Sequence, residues 1–251
     1  MSFLTLSAIL KIRTAILVDM SQNQTKNKNG SAAVKVLISS RKKILNDLKK
    51  VITVGNFNYR TFGTAIEEYL TNIIVDIFKK ANFIKNEKDY VVAPHKNYFP
   101  DFELKTIPSI AIEFKSGNRS QNRQGKWVVV KNSENDMGTL NEWPNRIKKF
   151  GGRNIYYIFV IYNFNEKTKE VQNIEVAPFY SFLGLNKAKL LKYREKDGNL
   201  RPKDFDVSPP IKKLEQFEQL FRKTVIYRSK RIIKKHRKII KEAQDAKTEK
   251  G

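Results

Sequence analysis

The chain has 251 residues, 49 Lys and Arg against 25 Asp and Glu, a net charge of +24, no cysteine and two histidines. That length suits one large domain, or one with a small appendage, and 40% hydrophobic residues suffice for a core. Zero cysteine excludes disulfide scaffolds, thiol catalysis and Cys-ligated metal centres. His95 and His236 alone argue against a two-histidine metal site and a Ser-His-Asp triad. A charge of +24 draws polyanions, nucleic acid first, an anionic membrane second and an acidic protein a distant third.

Residues 1–20 have helical apolar spacing, but Lys11, Arg13 and Asp19 interrupt the run. It is neither a signal peptide nor a membrane span, so a soluble, intracellular protein is expected. The polar stretch Ser21 to Ser31 predicts a flexible linker. Val34 to Val51 predicts an amphipathic helix with Leu37, Ile44 and Leu48 on one side. Gly55 to Gly63 is expected to be a loop. Ile66 to Phe83 then traces a helical stripe through Ile66, Leu70, Ile73, Ile74, Ile77 and Phe78.

The period changes after that. Tyr90 to Ala93, Asp101 to Lys105, Ser109 to Lys115, Lys126 to Lys131, Ile155 to Tyr162 and Gln172 to Ala177 predict strands. The run IYYIFVIY, without polar alternation, predicts a central strand buried on both faces. Leu140 to Phe150 predicts a helix with Pro144 near its first turn. Ile211 to Ile226 and Tyr227 to Ala246 predict two terminal helices, the second very basic. The expected class is α/β, a mixed sheet covered by helices on both sides. One domain is expected, with its core at about 55–180 and helical additions at 1–54 and 211–247.

The segment Pro100 to Lys115 carries the chemistry. Asp101, Glu103 and Lys105 share one strand face, as do Ala111, Glu113 and Lys115 on the next strand. A hairpin centred on Ile107 places Asp101 across from Glu113. Like charges at such close cross-strand positions are destabilising. The pair needs either a shared proton or a cation, and a hard divalent metal, Mg²⁺ by preference, suits an oxygen site. Lys115, two residues beyond Glu113 on the same face, can hold a water or screen charge on a phosphate. Carboxylates, metal and ammonium together suit phosphodiester hydrolysis. Glu103-Leu-Lys105 repeats the Glu-x-Lys pattern, but Glu103 is too close in sequence to Asp101 to be the carboxylate opposite it.

Pro100-Asp101, eleven intervening residues and Glu113-Phe114-Lys115 resemble the signature of the PD-(D/E)xK nuclease superfamily. Within it the chain is most similar to type II restriction endonucleases. The resemblance implies a restriction-endonuclease-like core with the signature on a β-hairpin. It implies Asp101 and Glu113 as metal ligands and Lys115 as the catalytic lysine. A further glutamate on the preceding helix fits Gly63-Thr-Ala-Ile-Glu67, with Glu68 beside it and the glycine spacing favouring Glu67. It also implies Mg²⁺-dependent, sequence-specific cleavage of double-stranded DNA with 5′-phosphate ends, by a homodimer in the cytoplasm of a prokaryotic cell. Other nucleases of the superfamily, such as junction resolvases and repair nucleases, and a non-catalytic nucleic-acid binder are the alternatives.

Two loops carry side chains that read base edges. Ser116 to Gly125 offers Ser116, Asn118, Arg119, Gln121, Asn122 and Arg123; Asp197 to Lys203 offers Asn199, Arg201 and Lys203. The basic run Arg228 to Lys238 suits phosphate gripping rather than base reading.

Overall fold

The computed structural model describes residues 30–54, 62–95, 98–125, 127–129, 135–164, 169–204 and 207–248. The expected helix at 1–20, most of the linker after it and most of the loop at 55–63 lie outside these residues. Two compact units emerge. The first takes the chain up to Asn135 together with Asn145–Phe179, and the second takes Asp136–Pro144 together with Tyr180 onward. Most of the expected core at 55–180 falls in the first unit, which also takes in the N-terminal helical residues.

In the first unit, helical residues 30–39 lead through a turn at Ser40 into α1 (Arg41–Val54). Ala33, Leu37, Ile44, Leu48 and Ile52 are buried at helical spacing. Helix α2 (Phe62–Lys80) buries Phe62, Ile66, Leu70, Ile74, Ile77 and Phe78. It starts four residues before the predicted point because Phe62 extends the same stripe by one turn. It stops before Phe83 for a backbone reason. Asn82 adopts a left-handed φ of 61°, Phe83 N–H donates to Phe78 O, and Asn82 N–H to Lys79 O. This is a Schellman end, and asparagine tolerates the left-handed position. The Phe78 and Phe83 rings meet across it at 6.0 Å.

The sheet runs β1 (Tyr90–Val92), β2 (Phe102–Leu104), β3 (Ile110–Gln121), β5 (Ile155–Phe164), β6 (Lys169–Pro178), with β4 (Trp127–Val129) paired to β3. All pairings are antiparallel except β3 with β5. A parallel pair needs a crossover, and helix α3 (Trp143–Phe150) lies in that connection. One face buries Phe102, Leu104, Ile112, Phe114, Ile158 and Val160 in a shared core with the helices. Arg41 ties α1 to β6 through Asn173 Oδ1 at 2.9 Å. The opposite face carries Glu113, Tyr157 and Phe159, all buried. Strand β5 is therefore buried on both faces, as its unbroken apolar run predicts.

The second unit consists of short bridged segments and one long helix, α4 (Leu214–Thr248). Trp143 is fully buried, meets Phe217 at 5.9 Å and donates its Nε1–H to Met137 O. Leu191 N–H donates to Thr224 Oγ1 at 3.0 Å. The two terminal helices expected from the sequence are one. Nothing at Ile226-Tyr227 breaks a helix, since neither glycine nor proline occurs between Leu214 and Thr248. From Arg231 to Asp245 every residue is exposed, including Ile232, Ile233, Ile239 and Ile240. Among the described residues no helix is long and apolar enough to cross a membrane.

Candidate active site

Strands β2 and β3 pair with Phe102 opposite Ile112, Glu103 opposite Ala111 and Leu104 opposite Ile110. One step further along this register, in the bend before β2, Asp101 comes opposite Glu113. Asp101 Oδ2 accepts the Phe114 backbone N–H at 2.6 Å. Glu113 is 6% exposed, and its Oε1 accepts from Lys115 Nζ at 2.7 Å. Its Oε2 is buried with no hydrogen-bond partner among the described residues. A buried carboxylate oxygen without a donor is costly, and a cation beside it would offset that cost.

The electrostatics agree. Burial, and then the charge of Glu113, push the Asp101 carboxyl up to about 7, against the pull of Lys115 and the Phe114 N–H. For Lys115, burial works against the ammonium, but Glu113, Asp101 and Glu67 together outweigh it and hold the pKa above the usual lysine value. The ammonium stays charged at neutral pH.

Glu67 belongs to the same field. Burial raises its carboxyl, Lys115 pulls it down and Glu113 pushes it up, leaving it above the ordinary glutamate value. Glu68, one residue on, is exposed. A glycine makes Glu67's position possible. A Cβ built on Gly63 would lie 3.2 Å from Ser116 Oγ, so a bare Cα lets the start of α2 close against β3. Glu67 follows one turn later on the same side of the helix.

The second Glu-x-Lys copy has a different environment. Glu103 is 4% exposed and sits between Lys105 at 2.5 Å and Lys149 at 3.7 Å, with one lysine on each oxygen. Its charge is met by protein. Among the described residues, Glu113 has a lysine on one oxygen only.

Among the described residues, no group of three or more Asp, Glu or His forms a ready metal cage. Mg²⁺ does not require one, because it commonly takes one or two carboxylates and completes its shell with water and substrate phosphate. Two opposed carboxylates, one with an orphaned buried oxygen, fit that pattern.

The first expected DNA loop is largely strand. Strand β3 continues past Lys115 to Gln121, whose side chain lies outside the description. Asn118 is fully buried. Its Nδ2 donates to Phe164 O at 3.0 Å and its Oδ1 accepts from Phe164 N–H at 3.1 Å. Arg119 is 2% exposed and donates to Asn118 O. A Cβ on Gly117 would come 2.8 Å from the Arg119 guanidinium, which curls over that glycine. Both side chains are therefore turned into the fold rather than toward a ligand. Ser116 is half-buried against Gly63. The turn begins only at Asn122, whose Oδ1 accepts Gln124 N–H, and Arg123 is exposed. Asn118→Ala, which removes both of its hydrogen bonds to the Phe164 backbone, is expected to cost about 2–6 kcal/mol, twice the usual value for one buried group that loses its bond. Urea denaturation checks this; a surface residue would leave the midpoint unmoved.

The second loop is likewise folded in. Asp197 is gripped by Arg194, which also reaches Asp136 at 3.0 Å. Arg201 is 9% exposed and pairs with Asp136 at 2.8 Å; Lys203 is also buried. Asn199 is half-buried in a bridge to Thr139. The turn is shaped by its own salt bridges, which the polar composition alone did not reveal.

Sequence reasoning passed over Tyr157 and Arg146. Tyr157 pairs with Glu113 in the β3–β5 register, and Arg146 of α3 hydrogen-bonds its hydroxyl. The only local hint was the adjacent pair Tyr156-Tyr157 near the start of β5, since a buried tyrosine hydroxyl calls for a partner. Nothing local marked Arg146.

No family model matches the chain, and no curated protein matches it. Among solved structures it is similar to the NlaIV restriction endonuclease, at 15% sequence identity and a TM-score of 0.53, over 74% of this chain and 79% of that one. This likeness is one of fold: the chain has a mixed α/β, restriction-endonuclease-like architecture.

Proposed function

We propose that this protein is a PD-(D/E)xK nuclease, a type II restriction endonuclease that hydrolyses both strands of a specific double-stranded DNA site and leaves 5′-phosphate ends. The observation that carries the reading is the opposed pair of half-buried Asp101 and buried Glu113, with Glu113 Oε2 lacking a hydrogen-bond partner among the described residues and Lys115 tied to the other oxygen. The fold likeness supports it.

Asp101 and Glu113 would hold a divalent metal, Mg²⁺ by preference, which when bound supplies Lewis-acid polarisation of the phosphoryl oxygen and a lowered pKa for water. The chain's own groups do the rest. The Phe114 N–H fixes one Asp101 oxygen, and the other would be the one offered to the metal. Lys115, charged and anchored on Glu113, holds a water or meets the charge that builds on the phosphate. Glu67 contributes a third carboxylate to the field. Asn122 and Arg123, in the turn after β3, would be the members of the first loop to contact DNA, and Asn199, better exposed than Arg201 and Lys203, the member of the second. One such site per chain and a symmetric target call for a homodimer.

The test is digestion of plasmid DNA with Mg²⁺ or with EDTA, followed by sequencing of the ends. Discrete fragments with constant ends, formed only with Mg²⁺, are expected. Preferential cutting of branched DNA would mark a resolvase instead, and absence of any metal-dependent nicking would leave a binding protein.

Helix α4 offers a sequence-independent contribution. Lys234, Lys235, Lys238 and Lys241 are exposed on its projecting half. Replacing all four with Gln is expected to weaken binding of every duplex alike. The slope of log K against log salt should fall by up to about 4, roughly one per lost phosphate contact. Fluorescence anisotropy across a salt series measures it; an unchanged slope places these lysines off the DNA.

A further inference from the structure

The face of the sheet that carries Glu113 holds two more polar side chains that the hydrolytic scheme leaves without a role. Tyr157 is the register partner of Glu113 on the parallel strand β5, so the two side chains stand side by side on one face. Tyr157 is fully buried. Its hydroxyl is met by the Arg146 side chain from α3. The same guanidinium lies over the Phe99 ring, 4.0 Å from its centroid. Phe99 packs edge-on against Phe150 of the same helix at 6.0 Å and stands two residues before Asp101. The Arg146 Nη1 is buried. One side chain therefore touches both walls of the carboxylate pair: the strand beside Glu113 and the segment that carries Asp101.

Two carboxylates that repel each other hold a metal-binding spacing only if the surrounding structure sets it. A divalent cation, Ca²⁺ or Mg²⁺, is held by two carboxylates at once only where both lie within bonding reach of it, and replacing groups that orient metal ligands typically costs about 10- to 100-fold in affinity. An arginine suits the task, because its planar head stacks on an aromatic ring and donates hydrogen bonds at the same time.

We propose that Arg146 is a positioning residue: by bridging Phe99 and Tyr157 it sets the separation of the Asp101 and Glu113 carboxylates, and with it the affinity of the site for a divalent cation. This rests on the reading of Asp101 and Glu113 as metal ligands.

The experiment titrates Ca²⁺ into the full-length, DNA-free protein by calorimetry, and measures duplex affinity separately in EDTA. Wild type is compared with Asp101→Asn, Arg146→Met, Arg146→Lys and Tyr157→Phe. Arg146→Met and Tyr157→Phe are expected to weaken Ca²⁺ binding about 10- to 100-fold, with duplex affinity in EDTA unchanged. Arg146→Lys keeps a cation over Phe99 and a donor for the phenol, and should recover part of the loss. Unchanged Ca²⁺ affinity in Arg146→Met overturns the proposal, as does a loss confined to duplex affinity, which would make Arg146 a phosphate contact. If Arg146→Met fails to fold, the nearly isosteric Tyr157→Phe decides, and wild-type Ca²⁺ affinity in that variant overturns the proposal. The Asp101→Asn arm separates the two ideas. If that variant binds Ca²⁺ like wild type, the metal-site reading falls and this proposal with it. If it loses Ca²⁺ while Arg146→Met and Tyr157→Phe retain it, only the positioning role is lost.

Discussion

Asp101→Asn is expected to lower Mg²⁺-dependent cleavage by about a hundred- to a thousandfold or more, the scale of removing one preorganised electrostatic group, while leaving the protein as stable as wild type or more so. Lys115→Met is expected to lose cleavage to a similar degree and stability as well. The asymmetry follows from what each side chain does to Glu113. Asp101 is a second negative charge beside it, and burial and Glu113 both oppose its ionisation. Asparagine keeps the shape and the acceptor for the Phe114 N–H while removing the repulsion. Lys115 is the partner of Glu113 at 2.7 Å, with side chains 21% and 8% exposed. Without it, neither oxygen of a buried carboxylate has a donor, at a cost of about 1–3 kcal/mol. Cleavage rates and thermal unfolding of the two variants side by side provide the check. Equal stability in both would mean that the Lys115–Glu113 pair contributes nothing to the fold.

Stability of the metal-free protein is expected to fall as pH rises from about 4 to about 7. Asp101 titrates near 3.8 in an unfolded chain and near 7 in the native state. Between those values the native state binds more protons than the unfolded state, so raising the pH disfavours folding. Below the window both states are protonated; above it both are ionised and the penalty is constant. A separation of about three units corresponds to about 4 kcal/mol at most. Glu67, also raised, adds in the same direction. Two interventions should flatten the curve. Asp101→Asn removes the titrating group, and Ca²⁺ replaces the proton with a cation that does not leave as pH rises. Urea midpoints from pH 4 to 8 for wild type, wild type with Ca²⁺ and Asp101→Asn decide it. A wild-type midpoint that rises steadily over this range would show that Asp101 is not held protonated.

Much of the fold was legible because it rests on local periodicity. The stripe Ile66, Leu70, Ile74, Ile77 makes a helix in any chain that can cover it, and IYYIFVIY makes a buried strand. The hairpin register followed from alternation about Ile107, which is why the opposition of Asp101 and Glu113 was visible beforehand. The continuation of β3 through Ser-Gly-Asn-Arg-Ser-Gln was not visible. Those residues read as a loop because they are polar, yet Asn118 finds its partner at Phe164, 46 positions away, and Arg119 packs over Gly117. Whether a polar side chain in such a stretch meets solvent, DNA or its own fold depends on partners that no local window contains.

The sequence by itself determined the residue types at the site, the face on which they stand and the class of the sheet, since strand alternation and helical period act over a few residues. Only the tertiary structure decided which charges are answered. Glu103 is closed off by two lysines, Glu113 keeps one oxygen open, Arg201 is engaged by Asp136, and Arg146 reaches from Tyr157 to Phe99. A charge costs little in water and much when buried without a counter-charge. The meaning of each acidic and basic residue was therefore settled by where the packed chain left it dry, and with whom.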